Sequence, residues 1–289
     1  MASLTPAAAT IEGVADDSAQ ARRFVLRLQR PDPAWQHARP GQFFMLSVPG
    51  AGEAAFTFLE LPDAEGRFGA LVRAAGVLTR ALFALGTGRV VGVRGPFGSP
   101  WPGVPAGARL LVIAGGCGLA PLGALLRHRA GNAADATALV YAARDESHAM
   151  LGAERARWRG AGMAIDELRD DGETRPQVLR QHLCERIDAT LARAGVLPEA
   201  ACIAGPEAMM RAAAAHLVER GVPALQVFLS IERRMHCAVG NCGHCYVAHS
   251  YACREGPTYA YARLLELDAA ALTGRCGDVP APWLGCAGA

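Results

Sequence analysis

The chain has 289 residues, of which 51% are hydrophobic and 6% aromatic, with a formal net charge of +2. That length allows two domains with real cores, and a near-neutral chain with no basic block excludes a nucleic-acid footprint. The N-terminus lacks the cationic start and apolar run of a signal peptide, and the longest apolar stretch (Leu110–Leu126) is broken by Gly115, Gly116, Gly118 and Pro121; a cytoplasmic protein without a membrane span is expected.

In chain order, the first hundred residues alternate short β-like runs with turns. Arg23–Gln29, Gln42–Val48, Phe56–Leu61, Phe68–Ala74 and Val90–Gly95 read as strands, with one helical patch at Leu78–Leu85. Close-spaced strands of this kind predict a small antiparallel barrel. Ser99–Gly107 carries three prolines and two glycines and reads as a linker. Beyond it the rhythm changes. Strands are expected at Leu110–Gly115, Ala138–Ala143, Met163–Leu168, Ala201–Gly205 and Leu225–Ser230. Helices are expected at Leu119–Arg129, Ala149–Arg159, Gln177–Arg186 and Glu207–Arg220. Such alternation predicts a parallel sheet with helices on both faces. The expected division is a barrel over 1–105, an α/β nucleotide-binding domain over 106–232, and a cysteine-bearing segment with its tail over 233–289. The Ala/Gly/Pro-rich tail from Leu264 to Ala289 is expected to be loosely ordered at its end.

Four of the nine cysteines fall within CAVGNCGHCYVAHSYAC. The spacing of Cys237, Cys242, Cys245 and Cys253 is C-x4-C-x2-C-x7-C, and its close trio matches plant-type [2Fe–2S] ferredoxins. Gly240 and Gly243 suit a tight loop whose backbone N–H groups point at sulfur. A structural zinc site also favours four cysteines, but as two separated C-x2-C pairs. Spacing favours iron–sulfur and keeps zinc as the alternative. His236, His244 and His249 are expected to be exposed neighbours rather than ligands. Cys202, in an apolar strand, reads as a buried small hydrophobe, and Cys276 and Cys286 as ordinary thiols.

IAGGCGLAPLGALL follows an apolar strand and opens a helix. Its glycines permit a tight turn and the approach of a pyrophosphate to the helix N-terminus, while Pro121 suits a helix's first turn. A glycine-rich turn can equally be a packing device, but AGPEAMM (Ala204–Met210) repeats the geometry at a later strand end. Two such turns on one sheet edge point to a dinucleotide cleft. Arg144 follows the second strand of this half, where it either meets a 2′-phosphate or is a solvated helix-entry charge.

The order of RGPFG (Arg94–Gly98), GGCGLAP (Gly115–Pro121) and GPEAM (Gly205–Met209) resembles the ferredoxin–NADP reductase superfamily. The run from Leu229 to Tyr259 is similar to the subgroup with a C-terminal [2Fe–2S] loop. That subgroup includes the electron-transfer subunit of dihydroorotate dehydrogenase, the gamma (diaphorase) subunits of NAD(P)-linked nickel–iron hydrogenases or sulfhydrogenases, and the B subunit of anaerobic sulfite reductase. The GHC tripeptide and short last interval look closest to the hydrogenase and sulfite-reductase types.

The resemblance implies FAD and a [2Fe–2S] cluster as cofactors, NAD(P)H as substrate, and the other subunits of a redox complex as partners, a hydrogenase first among them. The alternatives are the equivalent subunit of an anaerobic sulfite reductase or a dihydroorotate dehydrogenase, or a free-standing reductase component, and a zinc-stabilised structural subunit is the non-enzyme one. It implies that Phe56, Thr57 and Phe58 face the flavin, with the Thr57 hydroxyl at N5 as the residue nearest the chemistry. Leu71, Val72 and Arg73 would line the next flavin strand, and Gly76 and Thr79 would cradle a phosphate. Arg94 and Gly95 would close the FAD site. Gly115, Gly116, Gly118 and Pro121 would bind NAD(P) phosphates, with Gly205, Pro206 and Met209 beside the nicotinamide. The superfamily's arginine on the flavin strand is absent, since that stretch reads Ala54-Ala55-Phe56-Thr57, and Ala204 stands where many members have cysteine.

Overall fold

The computed structural model describes residues 4–169 and 176–273. The first six strands are β1 (Ala7–Ser18), β2 (Ala21–Leu28), β3 (Phe43–Val48), β4 (Gly52–Thr57), β5 (Arg67–Arg73) and β6 (Val90–Phe97), with α1 (Val77–Ala84) before the last. They pair antiparallel in the order β4-β3-β6-β1-β2-β5. The two edges meet just past β4, where the Leu59 N–H donates to the Gly69 carbonyl at 2.8 Å and the Gly69 N–H donates to Glu60 at 3.1 Å. The sheet so curled encloses Trp35, Phe44, Phe58 and Phe68, whose rings pack at centroid distances of 4.9–6.4 Å. Aromatic side chains fill a small barrel well because each buries a large area in staggered or edge-on contact. β1 has no counterpart among the sequence-predicted strands. It is twelve residues long, yet only Ala9 and Ile11 are fully buried, and apart from the partly buried Val14 the rest of its residues are small, polar or acidic.

The second half holds β7 (Leu110–Gly115), α2 (Ala120–Asn132), β8 (Thr137–Ala143), α3 (Gly152–Gly160), β9 (Ala164–Arg169), α4 (Pro176–Ala194), β10 (Ala200–Ala204), α5 (Glu207–Glu219) and β11 (Val227–Ser230). The cysteine-bearing segment follows, with a two-residue ladder of β12 (Tyr246–Val247) and β13 (Ser250–Tyr251), then β14 (Thr258–Ala260) and α6 (Tyr261–Thr273). The large sheet runs β14-β11-β10-β7-β8-β9. All its pairs are parallel except β11–β14. The segment after residue 233 is therefore not a separate appendage. It returns to the sheet as an antiparallel edge strand, with Ser230 paired directly to Thr258. α6 occupies the start of the expected tail and buries Leu264 and Leu267. Cys276 and Cys286 lie outside the described residues. Among the described residues, no helix is long and apolar enough to cross a membrane.

The two halves are bound by charge. Arg23 on β2 and Arg127 on α2 share two carboxylates, Glu60 beside the barrel seam and Glu154 on α3. The Arg127–Glu60 contact is 2.5 Å and the Arg23–Glu154 contact 2.6 Å. Two cations alternating with two anions attract around the whole ring, which resists sliding more than one exposed pair would. The connecting segment is held from inside. Arg129, 1% exposed, donates to the carbonyls of Pro105 (2.7 Å), Ala108 (2.6 Å) and Ala136 (3.3 Å) and to the Thr137 hydroxyl (2.8 Å).

Replacing Arg129 with methionine keeps the aliphatic volume but leaves those acceptors buried without a donor. Urea unfolding of Arg129→Met should show a loss of about 3 kcal/mol, the scale of a buried charge-assisted hydrogen-bond set. A midpoint unchanged from wild type would contradict that role.

Candidate functional site

β7 and β10 are neighbours in the sheet, although the chain visits β8 and β9 between them. The strand order reverses at this point, so the turns after β7 and β10 diverge over a crevice at the carboxyl edge. Gly118 sits so close to the second turn that a Cβ there would overlap the Ala204 carbonyl and the Gly205 nitrogen, which are backbone atoms. Only glycine permits that approach. The Tyr141 hydroxyl, buried beneath the first turn, accepts from the Met150 N–H at 2.9 Å and donates to the Gly116 carbonyl at 3.4 Å. Burial holds this phenol above its usual range.

The crevice opens into one cleft of about 1150 Å³ between barrel and α/β sheet, with Phe56, Thr57, Leu71, Arg73 and Thr79 on one wall. Gly115, Gly116, Gly118, Pro121, Gly205, Pro206 and Met209 form the opposite wall. A volume above that of an ordinary single-ligand pocket suits two cofactors side by side. Arg144 lines the same cleft and is exposed.

Five of the sequence-predicted residues are not on its walls. The side chains of Phe58 and Val72 are 0% and 1% exposed in the barrel core, because each alternates with a cleft-facing neighbour along the chain. Their expected flavin-facing side chains are corrected to core packing. Gly76 is the N-cap of α1, and its N–H and that of Ala75 both donate to the Thr79 hydroxyl at 2.9 Å. Thr79 thus caps its own helix as well as facing the cleft. Gly95 packs against Phe44. Arg94 turns away from the cleft toward the cysteine loop. Sequence reasoning also missed a wall. Ser230 through His236 line the cleft, with Arg233 held by Glu207 at 3.1 Å. The only sequence signal was their position immediately after the last parallel strand, at its carboxyl end.

Cys237 follows His236 directly, so the cleft wall continues into the cysteine loop. Positive φ at Ala238 (63°), Gly240 (76°) and Gly243 (79°) coils the chain tightly. The Cys237 sulfur accepts from the N–H groups of Asn241 (3.3 Å), Cys242 (3.4 Å) and Val239 (3.5 Å), and the Cys253 sulfur from Gly240 (3.1 Å). Burial raises the Cys237 thiol, but those three N–H groups together outweigh it and hold the group below the usual thiol range. The His244 N–H does the same for Cys242, against a smaller effect of burial. Cys253 is pushed up to about 12, first by burial and then by its contact with Cys245. Cys237 interacts with Cys242, and Cys253 with both Cys245 and Cys237, so the four thiols share one neighbourhood. Among the described residues, no three His, Cys, Asp or Glu side chains converge on one metal-ion position. Four thiols on one tight loop, with backbone N–H groups aimed at the Cys237 and Cys253 sulfurs, make a donor set that fits a two-iron group. His236 and His244 are exposed and stack edge to face at 4.4 Å, and His249 meets the Tyr246 hydroxyl at 3.3 Å.

Three family models match in tandem. They are an oxidoreductase FAD-binding domain over residues 9–100, an oxidoreductase NAD-binding domain over 112–215, and the iron–sulfur cluster binding domain of dihydroorotate dehydrogenase B over 232–265. Sulfhydrogenase 1 subunit gamma of Pyrococcus furiosus is 29% identical over 82% of this chain and 85% of its own length. A probable dihydroorotate dehydrogenase B (NAD(+)) electron transfer subunit of Methanocella arvoryzae is 32% identical over 91% of this chain and 93% of its own. The chain belongs to this family of electron-transfer subunits, within the ferredoxin–NADP reductase superfamily. The fold agrees with a solved NADH-dependent reduced ferredoxin–NADP oxidoreductase chain, with a TM-score of 0.70 at 22% identity, covering 90% of this chain and 92% of that one.

As a ferredoxin–NADP reductase relative, the protein is an oxidoreductase subunit that binds FAD, NAD(P)H and an iron–sulfur cluster. Two predictions follow from the geometry. In Gly118→Ala, the added methyl must push the two turns apart, at the 1–3 kcal/mol typical of overpacking. NAD(P)H binding, read by titration in the FAD-loaded protein, should weaken by about tenfold or more while FAD content holds; unchanged affinity would count against the close contact. A Cys253 thiol that is to bind metal must first lose its proton, and its raised pKa makes that loss costly at neutral pH. Reconstitution of the apoprotein with iron and sulfide should therefore tighten as pH rises from about 6 to about 9, and a flat profile would show that this thiol's proton does not matter.

Proposed function

We propose that this chain is the NAD(P)H-linked diaphorase subunit of a cytoplasmic nickel–iron hydrogenase complex, with FAD in the cleft and a [2Fe–2S] cluster on Cys237, Cys242, Cys245 and Cys253. The reading rests above all on the continuity of the cleft wall with the cysteine loop: Met235 and His236 line the cleft and Cys237 is the next residue. A nicotinamide gives two electrons at once and an iron–sulfur cluster takes one, and a flavin between them supplies that conversion when bound.

The residues divide the work. Phe56 offers an apolar face to the ring system, and the Thr57 hydroxyl is the hydrogen-bonding group on the same strand, suited to orienting the ring edge at N5. Leu71 and Arg73 form the adjoining strand of the flavin wall, and Thr79 fixes the start of α1, whose N-terminal N–H groups favour a phosphate. The Gly115–Pro121 turn and the Gly205–Met209 turn hold the nicotinamide nucleotide. None of these residues has to move a proton for hydride transfer; they orient the two rings and exclude water.

A hydrogenase partner is supported by two sulfhydrogenase gamma subunits of Pyrococcus furiosus among the relatives, at 29% and 28% identity. The electron-transfer subunit of a dihydroorotate dehydrogenase is the second reading, favoured by the 32% identity over 91% of the chain. The C-x4-C-x2-C-x7-C spacing, a close trio rather than two separated C-x2-C pairs, favours iron–sulfur over a single tetrahedral zinc.

Isolation of the native complex under exclusion of oxygen separates these readings. A nickel-containing large subunit at fixed stoichiometry supports the first, an orotate-forming subunit the second, and a lone chain a free-standing reductase. Iron with acid-labile sulfide and bound FAD is expected, and zinc without flavin would overturn the proposal. Cys245→Ser should cut electron delivery to the partner by at least about a hundredfold, the scale for losing an essential member of a chain that acts as a unit. Bleaching of FAD by NAD(P)H should persist in the same sample; its loss in a folded, FAD-loaded variant would show that the carriers are ordered differently.

A further inference from the structure

Arg94 lies in β6 with its side chain 6% exposed, while its partner Glu53 on β4 is 23% exposed and lines the cleft. The pair is bidentate: Nε donates to Glu53 Oε1 at 2.9 Å and Nη2 to Oε2 at 2.5 Å. The guanidinium also reaches the other way. Nη1 donates to the Cys237 carbonyl and Nη2 to the His236 carbonyl, each at 3.2 Å. One side chain therefore joins a carboxylate on the flavin-side wall to the peptide of the first cysteine.

A tie between strand and loop does not need charge, and a buried ion pair is often no more stabilising than a well-packed apolar pair. What an oriented pair adds is a field. Its positive end lies against the cysteine loop and its negative end at the cleft. Coulomb energy falls with distance, so each end acts most on its own side. An electron arriving in the loop is stabilised by the guanidinium, and one held in the cleft is destabilised by the carboxylate.

We infer that Arg94 and Glu53 form a fixed dipole that raises the reduction potential of the iron–sulfur group in the loop relative to the flavin, which makes Arg94 a positioning residue for electron transfer. The inference rests on the reading that the four cysteines carry that group. One-electron reduction adds a single negative charge there, drawn from NAD(P)H in the working protein or from dithionite in the test, and makes or breaks no covalent bond.

The test is an anaerobic redox titration of the loaded, full-length protein, following the paramagnetic signal of the reduced cluster, with iron per chain measured for every variant. Arg94→Gln removes the positive end and should make reduction about tenfold less favourable, 59 mV for a one-electron couple. Glu53→Gln leaves the cation uncompensated and should shift the midpoint in the opposite direction. Arg94→Lys retains charge and should stay nearer wild type than Arg94→Gln. A role limited to holding the loop predicts the same direction, or no shift, for both neutral variants, and that result would overturn the inference. If Arg94→Gln cannot retain iron, Glu53→Gln still decides the matter by the sign of its shift. A wild-type protein with no such signal would instead remove the reading beneath it.

Discussion

Contact between Gly118 and the Ala204–Gly205 peptide is the join from which the cleft is built. It holds the turns after β7 and β10 side by side, although β8, β9 and three helices come between them in sequence. Once they are adjacent, the carboxyl ends of two strands and the start of two helices face one space. The barrel closes that space from the other side with β4 and β5. The arginine–carboxylate ring of Arg23, Arg127, Glu60 and Glu154 keeps the barrel there. Shape on the nucleotide side thus comes from backbone proximity, and position on the flavin side from electrostatics between the halves.

The cysteine loop solves a different problem. Four sulfurs that each favour the thiolate on ligation must be brought together without mutual repulsion opening the chain. Backbone N–H groups supply the compensation, three at Cys237 and one at Cys253. Hydroxyl groups on and beside the loop fix its rim. The Ser99 hydroxyl donates toward the Glu255 and Thr258 carbonyls at 3.0 Å, and the Ser250 hydroxyl meets Glu255 at 2.9 Å and the buried Tyr259 hydroxyl at 2.8 Å. Cys245 and Cys253 are 1% and 2% exposed, whereas Cys242 faces solvent. The loop therefore has an inner half packed on the main core and an outer half turned to solvent.

Much of this was legible in the sequence for identifiable reasons. The central strands β7, β8 and β10 are apolar almost throughout, because a parallel sheet is covered on both faces, and Leu110–Gly115 and Ala138–Ala143 stand out in the sequence, whereas the edge strand β9 carries Asp166, Glu167 and Arg169. The cysteine spacing and the two glycine turns carry their chemistry in short range. What was hidden depends on long range. β1 is a barrel strand built of small and acidic residues, whose pairing with β2 and β6 supplies the order that its own pattern lacks. β4 begins at Gly52 rather than Phe56, since its side chains are half-buried at the cleft and show no core alternation. The Arg94–Glu53 pair joins residues far apart in the chain, and the wall from Ser230 to His236 is polar enough to read as a solvated connection. Composition concealed α6 as well, where alanines between Leu264 and Leu267 and the end of the helix resemble a loose tail.

Ser230 and Thr258 are register partners on neighbouring strands. All four cysteines of the loop lie between them, so the whole excursion enters and leaves the sheet at a single rung. Seen this way, the α/β half is a socket and the cysteine-bearing stretch a cartridge. A hairpin turn could close the same rung with little change to the strands on either side, because neither β11 nor β14 draws its pairing from the loop. Gaining, losing or resizing the metal module is then a local edit at one site of insertion, and the nucleotide-handling machinery upstream need not be redesigned to accommodate it.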